Sequence, residues 1–458
     1  MVIDKAKIYQ FFNPFQQVSI APLIVFRIIF GALMLIGTSR FILNGWVQKL
    51  YIEPTFFFPF LGFEWVKPLP GNWMFLPFVL LIVSALFFMF GLFYRIASVV
   101  LFFSFTYIEL LDKTNYLNHY YFVSLVAFLM LFLPANRYCS FDAQLNLTPK
   151  QLLVSKWNIG ILKFQLGIVY VFAGIAKLNS DWLFDANPLK IWLQAHHHLH
   201  FVGKFLQQEW VAFTFSWTGC VYDLFIVIFL FNKYTRPFAY IFVVLFHLIT
   251  WYLFPIGVFP WVMIFSTLIF FSPNFHERIL QFIMKEKMQT LSQKMLPTFN
   301  KKIVSSALIL FVSFQILVPI RYLAYDGDLF WHEQGFRFSW RVMLMHKEGY
   351  GRFFVVDSKT KREMELPQQQ FLTPIQLDQM LTQPDMILQY AQLLYKEYNG
   401  KTLEFGNEKI TLVQPEIQSE IYVTLNGRPS QLFVRKGNNL LTINNDLKNR
   451  TWLEDFKK

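Results

Sequence analysis

Cysteine is nearly absent: the 458 residues include two, Cys139 and Cys220. Two residues lying in or beside apolar runs can build neither a disulfide framework nor a cysteine-based zinc site. Charge is scarce as well. Asp, Glu, Lys and Arg make up 15% of the chain, against about 25% in an average soluble domain, which excludes a chain that meets water over its whole surface. Acidic residues are rarest in the first 320 positions, which hold 12 Asp and Glu against 23 Lys and Arg; positions 321–458 hold 17 against 18. The net charge of +12 therefore belongs to the apolar part, as expected of basic loops that orient membrane spans. It forms no basic patch on a soluble fold, so nucleic acid is not an expected partner. Residues 1–17, polar but for Phe11, Phe12 and Phe15 among a few others, precede an apolar run with no small-residue cleavage site, so no removable signal peptide is read there. Internal repeats are missing too.

What is present is apolar and aromatic: 55% hydrophobic residues, 19% aromatic, 56 of them Phe. A span needs about 20 mostly apolar residues, and nine runs qualify or come close: 18–43, 73–93, 96–111, 119–133, 158–176, 211–231, 237–254, 258–272 and 303–320. The chain reads as a mainly α membrane protein with about eight to nine transmembrane helices. The seventh and eighth runs are separated only by 255–260, a Pro-Ile-Gly-Val-Phe-Pro turn that suits a hairpin or a re-entrant pair. With the N-terminus inside, inner segments carry 14 of the loop Lys and Arg and outer loops six, which favours that orientation and puts the C-terminal part outside. Residues 273–302 read as a basic helix on the inner surface. After Arg321 the pattern changes. Stretches at 352–356, 420–424 and 431–435 are β-rich, and 374–398 has helical spacing. The expected organisation is a transmembrane domain over 1–320 and a small extracytoplasmic α+β domain with an antiparallel sheet over 321–458.

Three polar constellations interrupt the apolar runs. In Leu111-Asp-Lys-Thr-Asn-Tyr-Leu-Asn-His-Tyr-Tyr121, Asp112 and Lys113 suit either a solvated loop or a site, whereas Asn118 and His119 enter an apolar helix, where polar groups usually face a cavity. In Tyr170-Val-Phe-Ala-Gly-Ile-Ala-Lys-Leu-Asn-Ser-Asp-Trp182, Lys177 closes a span. Such a lysine commonly snorkels to the surface, but Ala173, Gly174 and Ala176 let another helix approach, and a desolvated lysine loses its proton more readily and can serve as a base. The third is Val244-Leu-Phe-His247 followed by the 255–260 turn, where irregular backbone at membrane depth is tolerated only against protein or water. Arg27 and Asp223, each inside a span, could pair with one another as a structural bridge. His196, His197, His198 and His200 lack the His-Glu-x-x-His pattern and are read as an interfacial segment, with no metal.

These motifs resemble those of the vitamin K-dependent gamma-carboxylases and their horizontally transferred transmembrane domain. Leu111-Asp-Lys-Thr with Asn118-His119-Tyr-Tyr is similar to that family's Leu-Asp-Lys-Thr…Asn-His-Ser-Tyr. Val169-Tyr-Val-Phe-Ala-Gly-Ile-Ala-Lys-Leu-Asn-Ser-Asp-Trp182, Phe246-His247 with Leu253-Phe-Pro-Ile-Gly-Val-Phe-Pro-Trp261, and Gly335-Phe-Arg-Phe-Ser-Trp340 resemble its later motifs, and Pro134-Ala-Asn-Arg with Ser140-Phe-Asp does so more loosely. The likeness runs from about residue 18 to at least 400. It implies an enzyme that oxygenates a reduced naphthoquinone, a menaquinol or phylloquinol type of vitamin K, to its epoxide and couples this to carboxylation of peptide glutamate, using oxygen and carbon dioxide and no metal. It implies Lys177 as base, His119 as its catalytic support, Asn118 and His247 as quinone-binding residues, and, more weakly, Arg278, Arg337 and Trp340 at the substrate. Partners implied are quinol in the bilayer, membrane lipid, a glutamate-containing peptide or protein, and a quinone reductase. The chain is shorter than the animal enzymes and its cysteines cannot supply their disulfide, which points to a bacterial relative in an inner membrane, with its C-terminal domain periplasmic. Epoxidation without carboxylation, a proton-relay transporter built on Lys177, His119 and His247, and a non-catalytic quinone-binding protein are the competing readings.

Overall fold

The computed structural model describes residues 13–200, 202–285, 300–406 and 408–458. All nine apolar runs lie on helices: α1 (Ala21–Leu43), α2 (Phe75–Phe90), α3 (Tyr94–Leu110), α4 (Asn118–Met130), α5 (Trp157–Ala176), α6 (Glu209–Phe231), α7 (Arg236–Leu253), α8 (Phe259–Ser266, continued by a 3-10 turn to Phe270) and, after α9 (Pro273–Met284), α10 (Lys301–Ile320). Among the described residues six helical segments are long and apolar enough to cross a membrane: Ala21–Leu43, Gly71–Phe90, Trp157–Ala176, Glu209–Phe231, Arg236–Leu253 and Lys301–Ala324. The eight or nine spans expected are thus not confirmed. Helix α3 has 17 residues and α4 has 13, and α8 is shorter still. Of the basic segment expected over 273–302, α9 is an amphipathic helix and 286–299 lies outside the described residues, as do residues 1–12.

A feature with no counterpart in the sequence reading ties the bundle together. Strand β1 (Gln17–Ser19) pairs antiparallel with β2 (Leu153–Ser155), so the chain enters α1 and α5 side by side. The opposite charges inside spans do not pair as expected. Arg27 is buried and donates from Nη1 to the Ala135 carbonyl at 2.8 Å and from Nη2 to that of Cys139 at 2.6 Å. In the same loop the Asp142 carboxylate accepts from the backbone N–H groups of Phe93 and Tyr94 at 2.7 and 3.0 Å, satisfying the open start of α3. The Pro134–Asp142 motif therefore has a structural role at the end of the bundle opposite the 111–119 turn.

The C-terminal part is α+β. Strand β3 (Lys347–Val356) pairs antiparallel with β7 (Glu416–Leu425) over ten residues; β4 (Glu363–Leu366) and β8 (Gln431–Val434) flank them in the order β4-β3-β7-β8. A two-stranded ribbon, β5 (Thr402–Phe405) with β6 (Glu408–Thr411), lies apart. The single helix expected over 374–398 is two, α11 (Pro374–Thr382) and α12 (Pro384–Tyr398). Pro384 forces Gln383 out of helical geometry, to φ −114° and ψ 109°. Buried Ile387, Tyr390, Ala391 and Leu394 on α12 pack with Phe353, Val355, Ile417 and Ile421 of the sheet in one apolar core.

The domain is bonded to the membrane helices through the loops that carry the sequence motifs. Gln376 caps α11 with Thr373 and also donates to the Phe56 carbonyl at 2.7 Å and to Asp112 Oδ2 at 3.0 Å. Lys113 meets Asp385 at 2.5 Å. Neither Asp112 nor Lys113 is a solvated loop charge; they are 2% and 3% exposed. Burial alone would raise the Asp385 carboxyl, but Arg337, Lys113 and Arg450 hold it well below the usual carboxylate range. On the far side of the same junction, Asp181 accepts from Arg428 at 2.7 and 2.8 Å and from Asn426 at 2.7 Å.

Candidate active site

Lys177 follows the last residue of α5 as its C-cap. Its side chain turns back into protein. Nζ donates to the Ala173 carbonyl at 3.2 Å and to Asp223 Oδ2, on α6, at 2.7 Å. Lys177 is 6% exposed and Asp223 5%. The Trp182 ring lies over the ammonium at 5.3 Å and is held by its own Nε1, which donates to the Ser216 carbonyl at 2.8 Å. The small residues of α5 make the pair possible. A Cβ on Gly174 would come within 2.7 Å of the Leu224 backbone nitrogen, so any larger residue would push α6, and Asp223 with it, away from Lys177.

Lys177 and Asp223 line a cavity of about 100 Å³ with Tyr170, Phe246, His247 and Phe259. His247 is 2% exposed; its Nε2 lies 3.1 Å from the Tyr170 hydroxyl, and among the described residues its Nδ1 has no hydrogen-bond partner. A second cavity of about 590 Å³ lies alongside, within the roughly 300–1,000 Å³ of small-molecule sites. Its floor is mostly apolar, with Phe30, Met34, Phe78, Leu81 and Phe105 from α1, α2 and α3, although Arg40 and Glu109 of α1 and α3 line it too; its roof includes Lys113, Arg337 and Arg341. Asn118 and His119 line this larger cavity. Ile256, Phe259, Val342 and Met343 line both and form the wall between them. The His119 ring stacks on Phe259 at 5.1 Å, and the His247 ring meets it edge-on at 6.1 Å. Gly257, at φ +63°, makes the turn that brings Phe259 there.

Asn118 anchors a strained segment of the C-terminal domain. Its Nδ2 donates to the Arg341 carbonyl at 2.8 Å and its Oδ1 accepts from the Tyr116 hydroxyl at 3.0 Å; that hydroxyl in turn accepts from Phe338 N–H at 2.7 Å. Phe338, Trp340 and Met343 all have positive φ, 60°, 60° and 54°, a conformation that costs a non-glycine residue roughly 1–2 kcal/mol. Strain of this kind collects where a site is held open.

The chain matches the HTTM domain family over residues 15–275 and the vitamin K-dependent gamma-carboxylase lumenal domain over residues 300–458. It belongs to the vitamin K-dependent gamma-carboxylase family. No solved structure matches it. The two matched regions meet at the cavities just described, with the transmembrane match supplying Lys177, Asp223, His119 and His247 and the lumenal match supplying Arg337, Arg341 and the 342–343 wall.

The expected site residues of this family member do not form one cluster. Lys177 and His247 share the smaller cavity; Asn118 and His119 face the larger one. Arg337 lines the larger cavity too, but its guanidinium is bound to Asp385, at 2.8 Å, and to Gln383. Trp340 is 1% exposed, stacks on Tyr121 at 5.0 Å and lines neither cavity. Arg278 is exposed on α9 and lines neither. Sequence reasoning noticed Asp223 as a charge within a span but gave it the wrong partner; the small residues facing it across α5 were the available sign. Nothing in the sequence marked Arg341.

Proposed function

We propose that this membrane protein oxygenates a reduced naphthoquinone to its epoxide and uses the base so generated to carboxylate a peptide glutamate. Quinol and oxygen give epoxide and water; the γ-proton of glutamate is replaced by carbon dioxide. The observation that carries this reading is a buried lysine–carboxylate pair beside an unpartnered histidine nitrogen, next to a cavity with a mostly apolar floor. Each cavity fits part of the cosubstrate's path: the floor of the larger one, between α1, α2 and α3, suits a prenylated ring arriving from the bilayer, and in the smaller one His247 Nδ1 is placed to bond a ring oxygen. Phe259, between His119 and His247, is the element that must shift for the ring to reach Lys177.

The pair, rather than Lys177 alone, is the proton acceptor. A lysine bonded to a carboxylate in dry surroundings shares a proton with it, so the two act as one group. On accepting a proton from the quinol hydroxyl they become ammonium and carboxylic acid, and the positive charge lies beside the quinolate. His119 stacks on Phe259 and guides that shift, and the buried aromatic walls exclude water that would quench the base. The excess of Lys and Arg in the loops assigned to the inner face supports an orientation with the N-terminus in a bacterial cytoplasm and the lumenal-type domain in the periplasm.

The test is purified protein given reduced quinone, oxygen, labelled bicarbonate and a glutamate-containing peptide. Label in the peptide supports the full reaction and epoxide alone supports the half-reaction. Neither product would leave the non-catalytic and transport readings. Lys177→Ala should abolish epoxide formation; normal turnover by that variant would remove the lysine from the mechanism.

A further inference from the structure

The larger cavity holds more cations than its own carboxylates neutralise: Arg40, Lys113, Arg337 and Arg341 against Glu109 and Glu333. Lys113 and Arg337 are both committed to Asp385, and Glu333 to Lys347 at 2.8 Å. Arg341 has no such commitment. It is 7% exposed, its guanidinium carbon lies 4.3 Å from the centroid of the Tyr322 ring, whose side chain is its hydrogen-bonding neighbour, and among the described residues its Nε has no hydrogen-bond partner. Among the described residues no carboxylate forms an ion pair with it. A guanidinium taken out of water without a counter-ion is costly to keep, and this one is held in place: Asn118 grips its carbonyl, and positive-φ residues stand on either side of it.

We propose that Arg341 is the anchor for the side-chain carboxylate of the substrate glutamate, a role that rests on the carboxylase reading above. A neutral quinol has no need of a cation, whereas a carboxylate matches the two-pronged donor face of a guanidinium. The residues that follow, Val342 and Met343, are the wall shared with the Lys177 cavity. The γ-carbon of glutamate is one bond from its carboxylate. Holding that carboxylate at Arg341 therefore sets the carbon to be deprotonated against the wall behind which the base forms. Apolar side chains flanking the glutamate would find Phe336 and Met343 in the same cavity.

The experiment measures equilibrium binding of a fluorescent apolar peptide carrying one glutamate, and of its glutamine isostere, to the full-length protein in nanodiscs without quinol or oxygen. Wild-type protein should bind the glutamate form ~10- to 100-fold more tightly, the range of a charge-assisted hydrogen-bonded pair. Arg341→Met should erase the difference, and Arg341→Lys should keep part of it. An undiminished preference in an Arg341→Met protein that melts like wild type would overturn the proposal. If that variant fails to fold, an Arg341→Lys protein with the full wild-type ratio would do so. Sodium acetate competing as well as the peptide would mean a small-anion site and would overturn the peptide assignment. Failure of all turnover with the glutamate preference intact would sink the proposed reaction and leave the anchor standing.

Discussion

The Lys177–Asp223 pair makes a prediction about stability that does not depend on the chemistry. The two side chains are 8% and 7% exposed and meet at 2.7 Å. At an effective dielectric constant near 20 their attraction is about 6 kcal/mol, most of it offset by the loss of water from both. Removing one partner forfeits the attraction and leaves the other charge stranded, at a cost of roughly 3–5 kcal/mol. Lys177→Met and Asp223→Leu should each destabilise the protein on that scale. The double variant, apolar and of similar volume, should return to within about 1 kcal/mol of wild type. Unfolding of the four proteins in one detergent gives the cycle, and epoxide formation should be lost in all three variants. If the two single effects simply add in the double variant, the pair is not a mutually dependent buried ion pair. The shared-proton mechanism would then fall with it.

Four further outcomes are expected. Burial, with Arg450 and Lys347 nearby, pushes the His332 imidazole down to about 4, and its Nδ1 accepts from Gln334 N–H at 3.0 Å; stability should be complete above the unfolded value of 6.5 and decline as pH falls from there toward 4, a slope that His332→Gln should flatten in thermal melts. Arg428→Ala removes both bonds to Asp181 and should cost about 1–3 kcal/mol, read as earlier protease cleavage of the C-terminal domain; an unchanged cleavage rate would mean the contact does not hold the domains together. Phe259→Ala opens the wall between the cavities and should admit water, cutting carboxylation per epoxide formed by roughly tenfold; a constant ratio would show that Phe259 does not protect the base. Cysteines at Leu147 and Leu447, in a background without Cys139, should react with an impermeant reagent from opposite sides of the membrane; reaction of both from one side would refute the orientation.

The elements were largely legible in the sequence, and their partners were not. Every apolar run became a helix, the form that satisfies its backbone hydrogen bonds within the segment, and the β-rich stretches at 352–356, 420–424 and 431–435 lie in or against β3, β7 and β8. Local rules also allowed the break at Pro384, which the helical spacing of 374–398 obscured. Pairings across the fold are a different matter. Asp223 lies 46 residues from Lys177, and whether it faces Lys177 or Arg27 depends on the rotation of α6 against α5, which composition does not encode. Asp112 and Lys113 could not be told from solvated loop charges because the surfaces that cover them, Gln376 and Asp385, come from more than 260 residues away. Arg341 was invisible for the same reason: a single arginine after a tryptophan carries no sign that its neighbours have left it without a carboxylate.

The shortness of α3 and α4 has a consequence for the surrounding bilayer. At 1.5 Å per residue, the 17 residues of α3 rise about 25 Å and the 13 of α4 about 20 Å, whereas a hydrocarbon core is about 30 Å thick. Neither is long enough to cross a core of that thickness, so a bilayer matched to these two helices would be thinner beside them than elsewhere. A thinner bilayer beside the 111–117 turn would leave a water-borne chain less oil to cross on its way to the larger cavity, and membranes enriched in long, saturated lipids should slow its arrival.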